Sequence, residues 1–382
     1  MKRFMIAVAL GLLGSPVGSA AQDSDFQRVV QIGVESGPEE YTFGAVSDVQ
    51  LGPAGEIYVL DILNAQVRVF DRAGQFIRSY GQKGSGPGEF QFPTRLFLSD
   101  SGVHVLDPTL AREVLFDRDG SHVRTTSAPP SVGGHDIFLP VRFGQWLVAK
   151  TSVTIPGSIV ALVRQSPDRI TREAHAYRQR NPQVVGILRG SQLDTIFRYD
   201  NGFIQYFIPD RGVGHLNSYW GPGGSWAVAG DSMVALVDGY AGSIRILRIT
   251  RDGVAEAKSG RLNITPQPLG PRDWERLERF ERTQRELPPR IHLVGPLFKS
   301  QVTDPVFAAD GTLWVRCNDF DPGTESISIG ARFLLVPMDD RPQSVVQLPP
   351  GLSLNAVRGN LLAGVRKTDL GVHQVEVWEQ RR

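Results

Sequence analysis

The side chains in this sequence that could do chemistry are few and far apart. Seven histidines stand at positions 104, 122, 135, 175, 215, 292 and 373. None is spaced His-x-His or His-x-x-x-His, the patterns that turn two ring nitrogens toward one zinc ion. Cys317 is the sole cysteine, so neither an internal disulfide nor a Cys-based zinc ribbon is open to the chain. It follows Trp314-Val315-Arg316 and reads as a packed thiol rather than a nucleophile. The sequence has no Gly-x-Ser-x-Gly elbow. Gly84-Ser85-Gly86-Pro87-Gly88 has the glycine density of a phosphate loop. Because Phe90-Gln91-Phe92-Pro93 and not a helix follows, its glycines read as a turn between strands. Asp61, Asp107 and Asp238 each end an apolar run. A carboxylate there accepts backbone N–H bonds from the next turn, and Asn64 reads the same way.

The elements that must position these groups are short strands. The chain has 382 residues, 41% hydrophobic and 21% charged, which is ordinary globular composition. Its 41 Gly and 26 Pro punctuate about one residue in six, too often for long helices. With 41 Lys+Arg against 40 Asp+Glu there is no basic excess to neutralise phosphates, so nucleic acid is not an expected partner.

The chain also repeats. Gly55-Glu56-Ile57-Tyr58-Val59-Leu60-Asp61 is echoed by Gly102-Val103-His104-Val105-Leu106-Asp107, and Phe70-Asp71-Arg72-Ala73-Gly74 by Phe116-Asp117-Arg118-Asp119-Gly120. Asp61 to Asp107, Phe70 to Phe116 and Gly74 to Gly120 are each 46 residues apart. Four period-two strands fit one unit, at about 46–51, 56–60, 66–71 and 75–80. Four short antiparallel strands every 40–50 residues mark a β-propeller blade.

Weaker copies follow. The third is read from Phe143 to Val148 and Ile159 to Arg164, the fourth from Trp226 to Leu247, and the fifth from Pro305 to Val336. The sixth has only three strands, within Leu352 to Trp378. Its fourth is expected from Val29 to Val34, which would close the ring and hide both edges. The expectation is an all-β, six-bladed propeller over residues 21–382. Two insertions are expected on it. One is a hairpin over Ile196 to Phe207 with Asn201-Gly202 at its turn. The other is a helix over 271–286, between blades four and five, with Trp274, Leu277 and Phe280 on one stripe.

The Gly84–Pro93 segment, with Gly55, Ile57-Tyr58-Val59, Asp61, Asn64, Val67, Val69-Phe70 and Gly74, resembles the NHL repeat, a family of mostly six-bladed propellers. The resemblance is specific over residues 43–124. The first copy has Ala65-Gln66 where His-Arg is usual, and the second has Leu110 at the Asn position but keeps Arg112. The arrangement is also similar to exported six-bladed propellers of Gram-negative bacteria. Some six-bladed propellers, the lactonases resembling gluconolactonase or paraoxonase, hold calcium in the central tunnel. That likeness makes Asp48 and Asp304 weak metal candidates here, although Gln50, Ser225 and Ser353 do not complete an acidic ring. Propeller lyases acting on amidated peptides use several zinc-binding histidines, and His104 stands instead in the place of strand residue Tyr58.

In a propeller, the connections between second and third strands and those from one blade to the next gather at one end of the channel. Asn64, Lys83, Arg95, Arg112, Tyr240, Trp274, Arg316 and Asn318 are expected there. They suit a peptide, a protein or a small anionic ligand. The alternatives are a hydrolase, lactonase or lyase with a divalent ion in the tunnel, and a structural part of an envelope assembly.

Met1-Lys2-Arg3, the apolar run Phe4 to Leu13 and Gly18-Ser19-Ala20 read as a cleaved signal peptide over residues 1–20. The run is half the roughly 20 residues that span a bilayer. Its loss turns a formal charge of +1 into −1. A periplasmic or secreted monomer without cofactor or membrane insertion is expected.

Overall fold

The computed structural model describes residues 25–128, 136–141, 144–150, 176–177, 182–190, 192–200, 204–208, 212–216, 224–230, 232–275, 279, 299–318 and 331–381. The expected signal peptide, the 159–164 strand, Leu277, Phe280 and most of the 271–286 helix lie outside them.

Strand β1 (Phe26–Ile32) comes first. Blade 1 follows as β2 (Val46–Leu51), β3 (Ile57–Asp61), β4 (Gln66–Phe70) and β5 (Phe76–Tyr80). Blade 2 is β6 (Arg95–Ser99), β7 (Gly102–Asp107), β8 (Arg112–Phe116) and β9 (His122–Ser127). Blade 3 opens with β10 (Asp136–Val141) and β11 (Gln145–Lys150). After the short β12 (Ala176–Tyr177), blade 3 is completed by β13 (Pro182–Arg189) and β14 (Gln192–Asp200). Strands β15 (Ile204–Ile208) and β16 (Gly212–Leu216) join β12 in a separate three-stranded sheet. Blade 4 is β17 (Gly224–Ala229), β18 (Met233–Asp238), β19 (Ser243–Ile249) and β20 (Val254–Arg261). Blade 5 is β21 (Val302–Phe307), β22 (Leu313–Cys317), β23 (Arg332–Val336) and β24 (Ser344–Gln347). Blade 6 is β25 (Ser353–Arg358), β26 (Leu361–Lys367) and β27 (His373–Gln380), with β1 as its outer strand. Six four-stranded antiparallel sheets therefore follow one another among the described residues.

Neighbouring sheets share their cores, and this makes the ring. One cluster joins Val30, Ile32 and Val375 of blade 6 to Val49, Val59 and Phe70 of blade 1. Others join blade 1 to 2, blade 2 to 3 and 4, blade 4 to 5, and blade 5 to 6. A middle strand is covered on both faces, so β3 is buried at every residue, Ile57 to Asp61. Outer strands lose that cover, and β20 is exposed at seven of its eight positions. The fold is a six-bladed β-propeller.

The repeated glycines serve the turn between third and fourth strands. Gly74 and Gly120 have φ of 80° and 89°, which side chains other than glycine rarely adopt. A Cβ on Gly120 would meet the Tyr80 ring at 2.6 Å. Asp71 and Asp117 brace these turns, the former accepting N–H bonds from Ala73 and Gln75, both at 2.8 Å.

Blade 3 departs from the sequence reading. Its third strand is β13, some 20 residues beyond the expected 159–164, paired with β11 from Trp146↔Leu188 to Lys150↔Val184. The expected 196–207 hairpin is not one unit either. Residues 192–200 pair with β13 as the outer edge of blade 3, while 204–208 pair with β12 and β16. Alternation marks 143–148 and 196–207 as strands but does not mark β13. Partner choice is set by which apolar face is covered, and that is a long-range property.

Candidate functional site at the channel face

At the end of the ring where second strands turn into third strands, buried carboxylates organise the loops. Asp61 is fully buried and accepts bonds from Gly44 N–H (2.9 Å), Ala45 N–H (3.1 Å), Asn64 N–H (3.3 Å) and Asn64 Nδ2 (2.9 Å). Arg68, 1% exposed, stands 3.6 Å from it and donates to Thr42 O at 2.7 Å. Asp107 repeats the device, taking Gln91 N–H at 2.5 Å and Thr109 N–H at 3.1 Å. Asp238 takes Tyr240 and Ala241 N–H at 3.0 and 2.8 Å. These carboxylates hold the turn after them, and Asp61 and Asp107 also hold the strand entering the blade. Asn64, expected to accept such bonds, is a donor to Asp61.

The basic residues divide by what they touch. Arg112 donates to the carbonyls of Ser85 (2.8 Å), Gly86 (3.1 Å) and Glu89 (2.6 Å), so its guanidinium is committed to the glycine-rich loop between β5 and β6. Lys83 is exposed and donates to Gln91 O at 2.7 Å. Arg316 is buried, 3.1 Å from the carboxylate of Asp304 and 5.6 Å above the Phe333 ring. Asp304 sits in a bulge of β21 with φ of 45°, a strained value for a non-glycine residue. Asn318 accepts Thr303 Oγ1 at 3.2 Å and donates to Ser300 O at 2.8 Å. Arg95, at the head of the inner strand of blade 2, is exposed and its side chain makes no hydrogen bond among the described residues.

The charge of Arg95 acts on Asp48. The Asp48 side chain links three inner strands: Oδ2 accepts Leu96 N–H of β6 at 2.9 Å, and Oδ1 accepts Asn355 Nδ2 of β25 at 3.4 Å. Burial pushes the Asp48 carboxyl above its usual range, and the charge of Arg95 and these hydrogen bonds offset only part of that. Asp48 and Asn355 both lie at bulges, between Val46 and Asp48 and between Leu354 and Ala356. Asn355 was missed in the sequence, where its signal was a lone amide in the apolar run Leu354-Asn355-Ala356-Val357.

Residues 271–275 and 279 are helical. Asp273 accepts Gly270 N–H at 2.9 Å, the reciprocal half of a capping box, and pairs with Lys299 at 2.9 Å. Trp274 is half-buried on this turn. Lys83, Arg95, Arg112 and Asn64 thus gather at blades 1 and 2, while Tyr240, Trp274, Arg316 and Asn318 belong to blades 4 and 5 across the ring. Asp48 and Asp304 are divided the same way. Among the described residues, no three His, Cys, Asp or Glu side chains form a group able to hold a metal ion.

Comparison with known proteins bears on the fold. Residues 25–147 match the family model DUF5128, described as a 6-bladed beta-propeller. That match covers β1 and the first two blades and enters the third. Among solved structures, a protein of Bacteroides fragilis described as exported is 14% identical, with a TM-score of 0.46 over 94% of this chain and 97% of that one. The virginiamycin B lyase of Staphylococcus aureus, in a catalytically inactive form with quinupristin, is 8% identical, with a TM-score of 0.40 over 92% and 99%. No curated protein sequence matches.

Proposed function

We propose that this protein is an exported propeller that binds a peptide, a protein or a small anionic ligand on the loop-rich channel face. The observation carrying this reading is Arg95. Arg112 and Lys83 are bonded to loop carbonyls, whereas the exposed Arg95 side chain donates no hydrogen bond among the described residues and its charge acts on Asp48. Arg95 heads the inner strand of blade 2, which Asp48 ties to the inner strands of blades 1 and 6. A guanidinium on a firmly held strand suits bidentate capture of a carboxylate. Export rests on the basic, apolar and small-residue order of residues 1–20. No helix among the described residues is long and apolar enough to cross a membrane.

The test is a thermal-shift panel of short peptides and small carboxylates on wild type, Arg95→Ala and Arg341→Ala. Arg341 is an exposed control, paired locally with Asp339. At least one compound should raise the melting temperature of wild type and Arg341→Ala and leave Arg95→Ala unmoved. Compounds acting equally on all three, or on none, would reject the assignment.

A further inference from the structure

Blades 1 and 2 are copies 46 residues apart, and the second carries a chain of polar groups that the first lacks. In the turn from β6 to β7, Ser99 Oγ lies 2.7 Å from His104 Nε2, and Ser101 Oγ lies 3.1 Å from the same nitrogen. The other ring nitrogen, Nδ1, is bonded to Glu113 Oε1. Glu113 is 1% exposed and His104 6% exposed. Phe97 stacks on the imidazole with centroids 4.4 Å apart and planes 10° from parallel. Forty-six residues earlier, Pro53, Gly55, Tyr58 and Val67 occupy the places of Ser99, Ser101, His104 and Glu113. Tyr58 and Val67 are buried in a hydrophobic core there. A blade of this chain therefore closes without the polar groups, and burying a His–Glu pair in their place carries a desolvation cost.

Ser101 N–H donates to Ser99 Oγ at 3.1 Å, and that oxygen also lies 2.7 Å from Ser101 Oγ, so the Ser99 proton is either shared with Ser101 Oγ or given to the ring. With Nδ1 turned to the carboxylate, Nε2 is the nitrogen left to take it. Arg118 Nη2 donates to Ser99 O at 2.9 Å and fixes the backbone. Its Nη1 is buried without a partner among the described residues, a spare donor on the same side chain.

We propose that Ser99, His104 and Glu113 form a nucleophile, base and acid relay that cleaves small, unhindered carboxylic esters. The turn stands on the face opposite the channel loops, with Ser101 exposed and Ser99 half-buried, so only a compact substrate meets Ser99. Ser99 Oγ attacks the ester carbonyl carbon and its proton passes to Nε2. The C–O bond to the leaving group breaks, and the departing oxygen takes that proton. Water then attacks the Ser99 acyl ester, giving a proton to Nε2. The acid is released and the proton returns to Ser99.

The experiment treats the purified protein with an alkyl fluorophosphonate, maps the adduct by peptide mass spectrometry, and follows p-nitrophenyl acetate hydrolysis. The adduct falls on Ser99, and turnover drops by about 100-fold or more in His104→Gln, the scale of a lost general base. Because His104→Gln alters a core, the surface variants decide: Ser99→Ala loses adduct and turnover with its melting curve intact, and the remote exposed control Arg341→Ala keeps both. No Ser99 adduct on folded protein, an adduct on Ser101 alone, or unchanged turnover in Ser99→Ala overturns the proposal.

Discussion

Removing the carboxylate of Asp61 would strand both backbone donors and a buried cation. Gly44, Ala45 and Asn64 would lose their acceptor, and Arg68 would keep only Thr42 O. An uncompensated buried charge costs about 3–5 kcal/mol. Asp61→Ala is therefore expected to lower the unfolding free energy by that amount in urea titrations, against about 0.5–1.5 kcal/mol for Asp238→Ala, which frees two N–H groups that water can reach. His373 contributes acid sensitivity between blades 6 and 1, where its Nδ1 accepts Val46 N–H at 3.0 Å. Burial, and then the charge of Lys367, hold the imidazole below its ordinary value of 6.5. The unfolded chain then binds the proton more readily than the native one. This contribution to stability is complete above 6.5 and is lost as pH falls from there toward the lower native value. Glu376 has the same sign below 4.5: burial pushes its carboxyl up, but the bonds from Arg366, Trp378 and Arg28 hold it lower. Asp48 has the opposite sign, its raised native value favouring the folded state as pH falls. Unfolding free energy measured across pH should decline below about 6.5 in wild type, and His373→Gln should remove that first part of the slope. An identical slope in the variant would reject His373 as its source.

At the scale of elements, the seam between first and last strands has the largest effect. Strand β1 pairs with β27 from Phe26↔Gln380 to Ile32↔Val375, with one bulge between Arg28 and Val30. It buries Phe26, Val30 and Ile32 to 1%, 7% and 2% exposure. Each such side chain stabilises the fold by about 1.5–3 kcal/mol, so the three together approach the whole 5–15 kcal/mol typical of a domain. Deleting residues 25–33 should yield aggregated protein or a melting temperature lower by many degrees, since β27 then becomes an open edge. A fall of a degree or two in a thermal melt would show that the seam matters little. The helix start between blades 4 and 5 is braced by Asp273 to Lys299 and Gly270, and Leu277 and Phe280 of the stripe expected to seat it lie outside the described residues.

The whole molecule closes on itself: Arg381 N–H donates to Asp25 O at 2.7 Å, so the two ends of the described chain meet beside blade 6. Closure leaves a channel lined by inner strands, and what could occupy it divides the two functional readings. On the binding reading, protein purified without chelator should contain no stoichiometric calcium or zinc, and EDTA should leave the melting temperature unchanged. One equivalent of metal with a clear EDTA shift would favour a tunnel-bound ion instead, which stabilises by mass action.

The sequence by itself determined the blade. A 46-residue period, period-two alternation and glycines at the tight turns are local requirements of short twisted strands, so blades 1 and 2, most strands of blades 4 to 6, and the turn-capping Asp61, Asp107 and Asp238 were legible. Tertiary structure decided what depends on long-range pairing. It fixed β13 rather than 159–164 as the third strand of blade 3, and it set 196–207 into two sheets. It showed that Arg112 spends its donors on a loop, that Asn355 reaches Asp48 from 307 residues away, and that Ser99, His104 and Glu113 touch. Alternation tells which face of a strand is apolar. It cannot tell which neighbour covers that face, because the covering surface is assembled only when the ring shuts.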